Sequence, residues 1–85
     1  PGQEVLCSAA AHIARAEMGA HGALFGVTMR TWGPDPLDLA AVRALWAPDL
    51  GPFFVPTRLV SVENTHNFSG GRVVRPAQLA ELAGV

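Results

Sequence analysis

Three short apolar or β-branched runs, separated by stretches with helical spacing, constrain this chain more than any other feature. The runs are residues 4–7, 27–32 and 58–62, reading Glu-Val-Leu-Cys, Val-Thr-Met-Arg-Thr-Trp and Arg-Leu-Val-Ser-Val. Each has strand character. Between the first two, Ile13, Ala16, Ala20, Ala23 and Leu24 recur near helical spacing, which predicts a helix over 10–25 with Gly26 as its C-terminal cap. Gly19 and Gly22 weaken that helix by roughly 1 kcal/mol each relative to alanine. Between the second and third runs, Asp35-Pro36-Leu37-Asp38 reads as a helix start, with Asp35 capping and Pro36 at the first helical position. Leu37, Ala40, Ala41, Ala44 and Leu45 then form an apolar face, and Pro48 ends the helix. The three prolines within 47–57 mark a loop. Val73-Val74 reads as a short extended piece, and Pro76 opens a last helix whose apolar side is Leu79, Ala80, Leu82 and Ala83.

The order β-α-β-α-β-α predicts an α/β fold with a mostly parallel sheet and flanking helices. The pattern opens on the turn signal Pro1-Gly2 and stops in or just after a helix. The expectation is therefore that residues 1–85 are an internal piece of a larger α/β domain, incomplete at both ends. Such a piece would expose strand edges and be poorly stable and poorly soluble alone.

Composition narrows the function classes. Only 15% of the 85 residues are charged, against a usual value of about 25%, which predicts that much of the surface is covered by more chain or another subunit. Formal net charge is −1, with no basic patch to bind nucleic acid. All six basic residues are arginine, so no lysine amine exists here for Schiff-base chemistry. Cys7 is the single cysteine, which excludes an internal disulfide and makes a reducing, cytoplasmic setting the default. No apolar run is long enough to span a bilayer.

The chemistry concentrates beyond the third strand, where Glu63-Asn64-Thr65-His66-Asn67 precedes Phe68-Ser69-Gly70-Gly71. Ligands in open α/β sheets bind past the carboxyl ends of strands. His66 reads either as a loop histidine bonding local backbone or as an acid/base group facing a ligand. Glu63 reads equally as a surface ion-pair partner or a site group. His12 follows the first strand and reads either as a partly exposed helix histidine or as a ring able to stack on a flat cofactor. Glu17 and His21 lie one turn apart, but His12 and Glu17 are five apart and point to different sides of a helix, so no metal site is expected. Gly70-Gly71 reads as a tight turn rather than a phosphate cradle, because no helix follows directly. Cys7 reads as core, and no serine sits in a nucleophile elbow.

The run Leu59-Val60-Ser61-Val62-Glu63-Asn64-Thr65-His66-Asn67, with Gly70-Gly71-Arg72-Val73-Val74 after it, closely resembles the L-threonine aldolase family within the β-eliminating lyase group of pyridoxal-phosphate (PLP) enzymes. Gly2-Gln3-Glu4-Val5-Leu6-Cys7, Ala11-His12-Ile13 and Glu17-Met18-Gly19-Ala20 are similar to that family's earlier block, in order and at fitting spacing. The resemblance implies part of the large domain of a fold-type-I PLP enzyme. It implies cleavage of threonine or allo-threonine to glycine and acetaldehyde through a Schiff base with PLP, and a homotetrameric parent protein. It implies that His12 stacks on the PLP pyridine ring and that His66 lies near the substrate β-hydroxyl, either histidine assisting its deprotonation. The alternatives are another fold-type-I PLP amino-acid lyase, or a non-catalytic truncated α/β module. The family's Schiff-base lysine, the aspartate that pairs with the pyridine nitrogen and the early glycine-rich phosphate contacts have no counterpart here, so these 85 residues are expected to be inactive alone. Phe68-Ser69 stands where the family usually has a basic then a small residue, and Arg75 where it is often apolar.

Overall fold

A computed structural model describes residues 2–85. Strand β1 is Glu4–Ser8, followed by the single-turn helices α1 (His12–Arg15) and α2 (Ala20–Ala23). Strand β2 (Thr28–Trp32), helix α3 (Leu39–Leu45), strand β3 (Thr57–Val60), a 3₁₀ turn at Asn67–Ser69 and helix α4 (Pro76–Ala83) complete the order. The sheet runs β2-β1-β3 and both pairings are parallel. The mixed α/β class and the parallel sheet are as the strand and helix order implied.

Every residue of β1 is buried, as a central parallel strand requires. Alternation along it sends Leu6 to one face and Val5 and Cys7 to the other. On the first face, Leu6, Trp32 and Val42 form the core, with Leu37, Ala41, Leu45, Val60 and Leu82 packed around them. On the second, Val5, Met29 and Leu59 line an open apolar hollow flanked by Ile13, Ala20 and Phe25.

A buried carboxylate fixes the start of the sheet. Glu4 is paired in register with Thr28 of β2 and Thr57 of β3. Arg30 donates to it through Nε at 2.5 Å and Nη2 at 3.0 Å, and the Thr57 hydroxyl donates at 2.6 Å. Arg30 also donates to the Leu45 carbonyl, tying β2 to the end of α3. The Arg30 hydrogen bonds hold the Glu4 carboxyl below the usual carboxylate range against the opposing effect of burial, with Thr57 assisting.

Five expectations are corrected. The helix predicted over 10–25 is two single turns, because Met18 (φ 61°) and Gly19 (φ 69°) adopt left-handed backbone between them. Gly26 (φ 62°) does close the second, its N–H reaching the Gly22 carbonyl and the Val27 N–H reaching that of His21. The second helix starts at Asp38 and not Asp35: the Asp38 carboxylate accepts the Ala41 N–H at 3.1 Å. Asp35 instead offers its carbonyl to Trp32 Nε1 at 2.7 Å. The residue that α3 buries fully is Val42, while Ala40 and Ala44 are exposed. The third strand covers Thr57–Val60 rather than 58–62, although the Ser61 N–H still reaches the Leu6 carbonyl at 2.8 Å. Helix α4 begins at Pro76 as predicted, with Gln78 Oε1 accepting the Arg75 N–H, but of its apolar side only Leu82 is drawn toward the core.

Candidate functional site

The parallel sheet brings the C-terminal ends of β1 and β3 side by side, and the chain leaving each end carries the polar residues. After β1, Ser8 turns the backbone: its hydroxyl oxygen accepts the Ala10 N–H at 3.1 Å and its carbonyl accepts the Ala11 N–H at 3.0 Å. That turn delivers His12 to the start of α1. After β3, Glu63 through His66 run alongside.

Glu63 joins the two segments. Its Oε1 accepts the His12 backbone N–H at 2.8 Å and faces His12 Nδ1 at 2.7 Å, while Oε2 accepts the Asn67 N–H at 3.0 Å. Burial pushes the carboxyl pKa up, but the His12 and Asn67 backbone N–H groups, with the His12 ring, outweigh it and hold the value at about 2. The His12 ring stacks on Phe68 with centroids 4.9 Å apart and planes 28° apart. Arg15 lies over the same phenyl ring at 5.0 Å. The His12 side chain remains 36% exposed.

His66 is placed differently: it is fully buried. Its Nε2 lies 3.2 Å from Ser8 Oγ and its Nδ1 lies 3.0 Å from Ser69 Oγ. Ser69 Oγ also donates to the His66 carbonyl at 3.1 Å, and Ser8 Oγ donates to the Gly33 carbonyl at 3.3 Å, so both hydroxyls beside the ring are also tied to backbone carbonyls. The backbone of His66 pairs with Arg72 across a turn made by Gly70 (φ 85°) and Gly71 (φ 79°). The glycine pair therefore acts as a tight turn. Asn64 completes the loop by exchanging two 3.1 Å hydrogen bonds with the Val74 backbone, which substitutes for a strand neighbour and buries Val74.

Sequence reasoning named both histidines but missed Ser8 and Ser69 as the partners of His66, and left Glu63 between two readings. A strand-end position marked Glu63; nothing local marked Ser8, whose partner is 58 residues away. Glu17 and His21 lie along the apolar hollow instead. Cys7 is buried beneath the site, and burial pushes its thiol pKa up, as a core residue's would be. No group of three or more metal-ligating side chains occurs among the described residues, and no helix among them is long and apolar enough to cross a membrane.

Comparison with protein families matches residues 1–85 to the family described as Beta-eliminating lyase. The chain belongs to the beta-eliminating lyase family. No curated protein matches it. Members of this family are typically PLP-dependent, and the three-stranded parallel sheet flanked by helices is consistent with a fold-type-I PLP domain. The residues present suit the flat ring of such a cofactor: His12 offers a partly exposed aromatic ring at the sheet's C-terminal edge. The amine that would bond PLP is not among these 85 residues.

Proposed function

We propose that this beta-eliminating lyase is part of an L-threonine-aldolase-like enzyme, cleaving threonine or allo-threonine to glycine and acetaldehyde. The observation that carries the reading is the Glu63–His12 contact. It joins the two sequence blocks that resemble threonine aldolases, 51 residues apart, at one end of one sheet. The family match over residues 1–85 supports the wider lyase class.

His12 is the residue proposed to stack on PLP. Bound there, PLP would supply the sink for the electrons of the broken Cα–Cβ bond. His12 keeps one ring face against Phe68, and the proposal assigns the opposite face to the cofactor. Its Nε2 lies in the ring plane, where it can accept the β-hydroxyl proton whose loss accompanies the cleavage. His66 contributes from below, holding Ser8 and the loop that carries Asn67. The enzyme is proposed to be a cytoplasmic homotetramer whose Schiff-base lysine comes from chain beyond these residues.

The test is acetaldehyde release from threonine and allo-threonine by the full-length protein with PLP, with His12→Ala and His66→Phe beside it. Loss of release in the variants, with PLP binding reduced in His12→Ala but retained in His66→Phe, is the expected result. Release of product only from serine or another amino acid would replace threonine cleavage with a different lyase activity. No turnover of any amino acid would leave a non-catalytic α/β module, a reading that the absent lysine favours for this chain alone.

A further inference from the structure

Glu63 is the carboxylate that joins the C-terminal ends of β1 and β3. Three N–H groups from two segments converge on it. Two of the three are backbone, so the carboxylate is fixed independently of the imidazole it faces. The oxygen that meets the ring, Oε1, is already aligned by the His12 backbone N–H on the same residue. Rotation of the ring would break the 2.7 Å contact without releasing the carboxylate.

An ionised carboxylate can only accept hydrogen bonds. The nitrogen facing it must carry the proton, and in neutral imidazole the other nitrogen then has the lone pair. We propose that Glu63 is a positioning residue that fixes His12 as its Nδ1–H tautomer and sets its ring plane, leaving Nε2 as the proton-accepting nitrogen at the mouth of the site. Phe68 supplies the second constraint on the plane by stacking at 4.9 Å. Glu63 and Phe68 are the hydrogen-bonding and stacking partners of the ring, and Arg15 is the charged group on the far partner, Phe68. The carboxyl, held at about 2, stays ionised through the whole range in which a histidine titrates. Oε2 on Asn67 adds a mechanical consequence. The loop containing His66 and the helix turn containing His12 share one carboxylate, so displacement of either is felt by the other.

What the tautomer is for rests on the lyase reading; the tautomer itself does not, and the experiment separates them. The ring nitrogens of His12 are assigned in the ¹⁵N-labelled full-length protein at about pH 8, where imidazole is ordinarily neutral. A protonated-type Nδ1 and a pyridine-type Nε2 are expected. Glu63→Ala should move the majority to the Nε2–H form that free histidine side chains prefer, and Glu63→Gln, whose amide oxygen can still accept from both His12 N–H groups, should keep the Nδ1–H form. A wild-type full-length protein with His12 mainly as Nε2–H overturns the proposal, and needs no variant to fold. Retention of the Nδ1–H form in a folded Glu63→Ala overturns it equally. In the full-length protein with PLP, Glu63→Ala should lower kcat at least tenfold with KM little changed and an altered pH profile, and Glu63→Gln should recover most of the loss. Absence of lyase turnover in a wild-type protein whose His12 is Nδ1–H would overturn the lyase reading and leave the positioning in place.

Discussion

Ser8 Oγ lies 3.2 Å from His66 Nε2, a contact between the end of the central strand and a loop 58 residues later. Both groups are buried, and Ser8 Oγ also accepts the Ala10 N–H. The pair therefore fixes the turn that delivers His12 as well as the loop that carries Glu63. Ser8→Ala would take a hydrogen-bond partner from His66 Nε2, from the Ala10 N–H and from the Gly33 carbonyl. An unsatisfied buried polar group costs about 1–3 kcal/mol, so urea unfolding of Ser8→Ala should show a loss in that range. A loss of a few tenths only would mean that water reaches Nε2.

The acid limb of stability should contain a Glu63 contribution. Its carboxyl is depressed from 4.5 to about 2 in the folded chain. A depressed carboxyl stabilises the fold above its unfolded pKa, and that contribution is lost as pH falls through the folded value. The urea midpoint of the wild type should thus fall between about pH 4.5 and pH 2, and Glu63→Gln should flatten that part of the curve. Glu4, also depressed, adds to the same limb in both proteins. Identical acid limbs in the two proteins would contradict the assignment.

Two aspartates near the start of α3 should behave unequally. Asp38 caps the helix through the Ala41 N–H, whereas the Asp35 carboxylate only meets Arg72 at 3.4 Å with both side chains more than half exposed. Loss of an N-cap costs about 1 kcal/mol, and loss of an exposed ion pair about 0–1 kcal/mol. Denaturant titration should show Asp38→Ala as the more damaging change, and the reverse order would restore Asp35 as the cap.

Arg30→Met should be among the most destabilising substitutions in the sheet. It would leave the Glu4 carboxylate buried with only the Thr57 hydroxyl. Breaking a buried pair by removing one partner costs about 3–5 kcal/mol, and the partial exposure of Arg30 places the expected loss at the lower end. Adding Glu4→Gln should recover part of that loss in a double-mutant cycle, because the unpaired charge is removed. Strict additivity would show that the two side chains do not interact.

Leu59 and Phe25 are more than half exposed on the apolar side of the sheet, and β2 and β3 are its two edges. Contiguous exposed apolar surface and open strand edges favour association. Leu59→Lys should raise the soluble fraction of this chain and reduce its light scattering at equal concentration, with little change in unfolding midpoint. No gain in solubility would place the association surface elsewhere.

Periodicity marked the order of strands and helices in this protein, though not their bounds. Alternating strand and helix runs specified a parallel α/β sheet, because parallel neighbours need a crossover between them. Pro76 and Gly26 marked a helix start and a helix end through backbone preferences that act locally. The strand-end positions of His12 and His66, and the run from Glu63 to Asn67 that resembles threonine aldolases, were likewise readable in order along the chain. Tertiary structure decided what those residues touch. The break at Met18 and Gly19 set where α1 stops, the choice of Asp38 over Asp35 followed from Trp32 claiming the Asp35 carbonyl, and His66 was turned inward onto two serines while His12 stayed at the surface on Glu63. Those outcomes depend on contacts between residues 51 and 58 positions apart. Such contacts form only once β1 and β3 pair, and no local propensity encodes which strand ends will meet.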